Sequence, residues 1–169
     1  MDTVRLRPLC YALGFNATRP EQWISRGYFK PSEAGVPGRA RELTKDDALK
    51  LLVLVELVDA GIDAAAIHRD IRFLHRFRGE RAFLVISRGE IGLIIPATER
   101  GSPAPTDDEC TRVALPPGHY RSDVVRESDL LRVITDPHKT VSFVVSLDRL
   151  SERVDAAFEE IAAKEEADA

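Results

Sequence analysis

Apolar residues recur every three or four positions in the first fifth of the chain. Leu6, Leu9, Cys10 and Leu13 form the inner face of a first helix. Gly14 then interrupts the pattern, and a second short helix follows with Trp23 and Ile24 facing inward. Thr18-Arg-Pro-Glu21 fits a capping box that opens this second helix, with Pro20 in its first turn and Asn16 as the rival cap. Gly27 closes it. Tyr28 to Leu43 reads as a turn around Gly35, Pro37 and Gly38 with short extended arms. Thr44-Lys-Asp-Asp47 opens a third helix that ends before Gly61 and is apolar on more than one face. A helix of that kind needs cover on two sides, from the chain's C-terminal half or from a partner subunit. Asp63 caps a fourth helix, expected to reach about Arg78.

Beyond Gly79 the period changes. Ala82–Ser87 and Ile91–Ile95 are β-rich runs, with Arg88-Gly-Glu90 read as a hairpin between them. Residues 97–119, rich in Pro, Gly, Thr and Asp, are expected to form a mobile surface loop. Asp123–Thr135 fits helix or strand, whereas Thr140–Ser146 is a strand. From Leu147 the stripe Leu147, Leu150, Val154, Ala157 or Phe158, and Ile161 gives about two heptads of a final helix, which either packs on the body or pairs in a dimer; residues 163–169 are expected to fray. The fold class expected is α+β. It divides into a helical unit over 1–78, a small β-rich region over 79–146 and a C-terminal amphipathic helix over 147–169.

Two short helices joined by a Gly-containing turn are the layout of a helix-turn-helix, whose second helix fits a DNA major groove. Arg39 and Arg41, two apart on an extended arm, project to one face as in the wing of a winged helix. Charge changes the picture here. The chain carries −4 overall, but residues 1–45 hold eight Lys/Arg against four Asp/Glu, +4, leaving −8 for the remainder. A basic edge can track phosphates although the whole is acidic. The expected DNA contacts are Arg19, Gln22 and Arg26 to bases and Lys30, Arg39 and Arg41 to phosphates, with Thr18 at the start of the reading helix.

Other chemistry is not indicated. His68 and His75, seven apart, share a helix face without further ligands at zinc spacing. His119 and His138 lack an identifiable nucleophile, and no Gly-rich phosphate loop occurs. Two cysteines, Cys10 and Cys110, are too few for a disulfide framework. Neither a membrane-length apolar run nor a signal peptide is visible, so a cytoplasmic protein without metal or cofactor, and not an enzyme, is expected.

From Leu13 to Ile62 the sequence resembles the winged-helix DNA-binding domain of the MerR family of bacterial regulators. The residues that carry the likeness are Leu13-Gly14-Phe15, Trp23, Gly27-Tyr28-Phe29-Lys30-Pro31, Arg41, Leu43-Thr44, Asp47 and Leu57-Val-Asp-Ala-Gly-Ile62. The resemblance implies a homodimeric transcriptional regulator on a two-fold-related site in double-stranded DNA, with the second helices in major grooves and the wings on the flanking backbone. It covers about a third of the chain. Glu21 stands where the family usually has Arg, and the C-terminal half does not look like the family's long coiled coil or metal-sensing tail. An effector for residues 79–146 is not identified. The loop Gly35-Val-Pro-Gly-Arg-Ala-Arg41 is also similar to phage-type winged proteins. Two other readings therefore stand beside the regulator: an architectural, excisionase-like or packaging factor, and a protein–protein adaptor on a winged fold.

Overall fold

The computed structural model describes residues 2–32, 41–93 and 111–167, and its class is α+β. The chain opens with a three-residue strand, β1 (Thr3–Arg5), that runs directly into α1 (Leu6–Ala12). After a turn at Gly14 comes α2 (Thr18–Ser25). Strand β2 (Glu42–Thr44) pairs antiparallel with β1, Val4 opposite Leu43 and Arg5 opposite Glu42. Helix α3 (Lys45–Asp59) then starts on the capping box read from the sequence, with the Asp47 amide donating to Thr44 Oγ1 at 3.1 Å.

Helix α3 is the centre of the core. Leu51, Leu52, Val53 and Leu54 are all fully buried, so successive residues around the helix meet protein on every side. Strand β2 and the segment over 64–73 pack on part of it. The rest is covered by α6 (Leu147–Ala167), whose stripe Leu147, Leu150, Val154, Ala157, Phe158 and Ile161 is buried against α3 and α1. The apolar stripe of the last helix is thus used within the chain. Residues 163–167, expected to fray, continue the helix.

The fourth helix is shorter than its apolar pattern suggested. Asp63 does cap it, its carboxylate accepting from the Ala65 amide at 2.9 Å, but α4 spans only Ala64–Ile67 and a 3₁₀ turn follows over Asp70–Phe73. Ile71 is buried there, while Phe73 is exposed.

The β-rich region also departs from its pattern in one place. Arg88-Gly-Glu90 is not a hairpin: β3 runs unbroken from Ala82 to Leu93. Gly89 sits at φ +143°, and the register with the neighbouring strand shifts between Arg88 and Gly89. A Cβ there would lie 2.1 Å from the carbonyl oxygen of His138, so the close approach requires glycine. The strand bends and continues because partners wait on both sides.

On one side of β3 lie β4 (Thr111–Ala114) and β5 (Arg121–Arg126), and on the other β6 (Lys139–Ser146), all antiparallel to it. Residues 111–114, expected in a surface loop, are therefore ladder residues; the rest of that loop up to 110 lies outside the described residues. The ambiguous stretch 123–135 holds both alternatives in series, the end of β5 and then α5 (Glu127–Ile134). Helix α5 crosses from β5 to β6 and packs over β5 and β3. Ala82, Leu84 and Ile86 of β3 join the core beneath α6, and Val85, on the opposite face, is fully buried outside that core.

Candidate nucleic-acid interface

At about 100° per residue, α2 turns Pro20, Trp23 and Ile24 toward the core and places Thr18, Gln22 and Ser25 at the middle of its open face. Arg19 and Arg26 flank that face on one side and Glu21 on the other. All of these polar residues are exposed. The helix start differs from the capping box read from the sequence. Ala17 already has helical torsions, and it is the side-chain Oδ1 of Asn16 that accepts from the Thr18 amide (2.8 Å) and hydroxyl (2.7 Å). The short Asn side chain reaches an amide two residues on, which leaves Thr18 inside the helix, where it cannot cap. Glu21, released from capping, accepts from Arg7 Nε at 2.9 Å.

The β1–β2 pair brings a second set of cations beside α2. The Leu6 amide donates to the Arg41 carbonyl at 3.2 Å, which fixes Arg41 next to the Arg5–Arg7 segment. Arg5, Arg7, Pro8, Glu21, Ser25 and Arg41 line a cleft of about 600 Å³ between α1, α2 and β2. The Glu21 carboxylate holds the Arg7 guanidinium above its ordinary range, chiefly through their hydrogen bond. Among the described residues Arg5, Arg26, Lys30 and Arg41 have no carboxylate within ion-pair distance.

The residues singled out from the sequence do not all converge. Of them Arg41 lines this cleft, which α2 meets through Glu21 and Ser25; Gln22 and Arg26 are exposed on α2 but do not line it. Arg19 is drawn elsewhere: its guanidinium lies 2.5 Å from Asp59, and with Thr18 it lines a separate cleft against the end of α3. Lys30 lines another, with Ser32, Lys50, His68 and Arg72. Arg39 and the turn of the expected wing lie outside the described residues. Arg5, Arg7 and Ser25 were not singled out. The alternation Val4-Arg5-Leu6-Arg7, buried and exposed by turns, is the signal that marks the two arginines.

The remaining titratable groups serve packing. His68 and His75 do not share a helix face, since the helix ends at Ile67; His68 leans on Tyr28 with ring centres 5.2 Å apart and His75 meets Phe77 edge-on. His138 Nδ1 lies 3.2 Å from Glu90. Burial pushes the Cys10 thiol up to about 12. Among the described residues no three His, Cys, Asp or Glu side chains group as metal ligands, and no helix is long and apolar enough to cross a membrane. Compared with models of protein families and with curated proteins, the chain matches none.

Proposed function

We propose that residues 1–78 form a winged helix-turn-helix of the MerR kind that binds double-stranded DNA, and that the protein is a sequence-specific transcriptional regulator acting as a homodimer. The observation that carries this reading is the cleft where Arg5, Arg7 and Arg41 stand beside the open face of α2. Thr18, Gln22, Ser25 and Arg26 present short polar and cationic groups at the spacing of one helix face, suited to base edges. Arg5, Arg41 and Lys30 supply point charges at its margins, suited to phosphates. Arg19 takes part by leaving Asp59, a surface pair of small energy.

Each subunit then offers about four cations that are unpaired among the described residues, Arg5, Arg26, Lys30 and Arg41. A dimer that neutralises roughly eight phosphates should lose about 10⁴-fold in affinity between about 50 and 200 mM salt. The test is selection of bound fragments from a random DNA pool, followed by binding at several salt concentrations. A two-fold consensus with a steep salt slope is the expected result. Arg41→Ala should weaken all sequences alike and lower the slope by about one per subunit, while Gln22→Ala should relax specificity. Binding to arrays without a two-fold site would favour an architectural role. A second reading, a protein–protein adaptor, draws on the two cations nearest α2 that are already paired, Arg7 with Glu21 and Arg19 with Asp59; it requires no DNA retained even at low salt.

A further inference from the structure

With the stripe of α6 buried at home, a homodimer needs another surface, and β6 offers one. It is an edge strand: among the described residues β3 is its sole partner, so the backbone N–H and C=O groups on its other side are unpaired. Exposed edges are usually guarded by charge, proline or a bulge. The opposite edge of this sheet is guarded, since β5 carries Arg121, Asp123 and Arg126. Strand β6 is not. Its one charge, Lys139, is turned inward, its side chain only 10% exposed and 3.7 Å from Asp123. The rest, Thr140 to Ser146, is uncharged and without proline. Val141 and Val144 are 47% and 43% exposed on opposite faces of the strand. Helix α5 lies over β3 and β5, leaving the outer face of β6 open.

The sequence of the strand fits a copy of itself. Antiparallel pairing about Phe143, over the regular part of the strand beyond the bulge, sets Val141 opposite Val145 of the second copy, Phe143 opposite Phe143 and Ser142 opposite Val144. Val141, Phe143 and Val145 share the face that continues the core, where their partners on β3 are Arg88, Ile86 and Leu84. The pairing would thus place apolar groups against apolar groups on the inner face and small groups with hydroxyls on the outer one, with no like charges opposed.

We propose that β6 is the self-association surface of this protein, and that a second copy adds its own β6 antiparallel to make one continuous sheet through both subunits. The inference supplies the dimer that the DNA-binding reading needs, yet it is tested without DNA, so the two fail separately. One strand pair buries less than the roughly 1,200–2,000 Å² of a standard stable interface, so the dimer is weak, with Kd about 10–100 μM, and gains strength when two half-sites hold both subunits.

Sedimentation equilibrium of the full chain from about 5 to 500 μM, a range spanning that Kd, should show a monomer–dimer transition. Val141→Glu, which faces Arg88 within the sheet, with Val144→Lys, both at exposed positions, should abolish it while far-UV circular dichroism and melting stay unchanged. Hydrogen exchange of the unsubstituted chain gives an independent readout: amides within residues 140–146 should gain protection with concentration, and those of β5 should not. A monomer throughout the range, a dimer that persists in the folded double variant, or concentration-dependent protection confined to other elements would overturn the proposal. Should the double variant unfold, the exchange pattern of the unsubstituted chain decides.

Discussion

Replacing Asp47 by Ala should destabilise the protein by about 3 kcal/mol. The carboxylate is almost wholly buried and accepts four hydrogen bonds. One oxygen takes the Ser32 amide (3.0 Å) and hydroxyl (2.7 Å), and the other takes the Thr44 amide (3.3 Å) and hydroxyl (3.0 Å). Losing the two charge-assisted bonds from the Ser32 and Thr44 hydroxyls costs about 1 kcal/mol together. Stranding the Ser32 and Thr44 amides in a part-buried place costs about 1 kcal/mol each, even where the hydroxyls find water. For a chain of this length 3 kcal/mol lowers the melting temperature by about 6–12 °C. Asp47→Asn keeps the shape and one acceptor but turns an amide N–H toward donors, and should lose about half as much. Trp23, the one tryptophan and itself buried, reports unfolding in urea by fluorescence. A loss below about 1 kcal/mol for Asp47→Ala would show that water replaces these bonds without cost, and would refute the view that Asp47 fastens the exit from α2 to the start of α3. The same substitution should weaken DNA binding at temperatures where the variant is folded, because Ser32 is where the chain departs toward Arg39 and Arg41.

Three further outcomes are expected. Gly89→Ala should destabilise by more than about 2 kcal/mol, read as a fall in melting temperature, since the new methyl meets the His138 carbonyl and φ is positive; an unchanged melt would mean that β3 need not bend there. Phe158→Ala, at a ring buried beneath Lys45, should cost about 3–5 kcal/mol and lower the urea midpoint. Cys10 should react with a thiol reagent at pH 8 only as fast as the chain opens. Because its folded pKa is raised, the native state holds the proton longer than the unfolded one, so stability should fall as pH climbs from the ordinary thiol range toward about 12. Rapid labelling of the native protein would contradict the burial.

How far the sequence foretold this depends on which forces are local. The caps at Thr44 and Asp63 rest on side chains two or three residues from the amides they meet, and both form as read. The periodic stripes of α1, α3 and α6 name their buried faces because apolar spacing is itself the packing signal. At Asn16 and Thr18 two local caps competed, and sequence has no measure of which torsions Ala17 adopts. Gly89 looked like a turn because glycine between β runs usually is one; what makes it a bend is a carbonyl 49 positions later, invisible to local reading. In the candidate interface, the exposure of Gln22 on α2 and of Arg41 on its arm was legible from spacing. Arg5 and Arg7 were not assigned: the alternation over Val4–Arg7 marks them as exposed, but their place beside α2 depends on pairing with the distant strand Glu42–Thr44. The ion pair of Arg19 is hidden from the sequence for the same kind of reason: Asp59, its partner, is 40 residues away.

The burial of α3 carries a consequence for synthesis. Lys45 meets Asp155 across 110 positions and Glu56 meets Arg153 across 97, so the helix that shields this greasy rod leaves the ribosome long after it. At about 5–20 residues per second, the leucine-rich flank of α3 stays uncovered for roughly 5–20 s in every nascent chain. During that interval the newborn N-terminal portion is a natural client for a chaperone, and truncations that stop short of Leu147 should emerge as insoluble product.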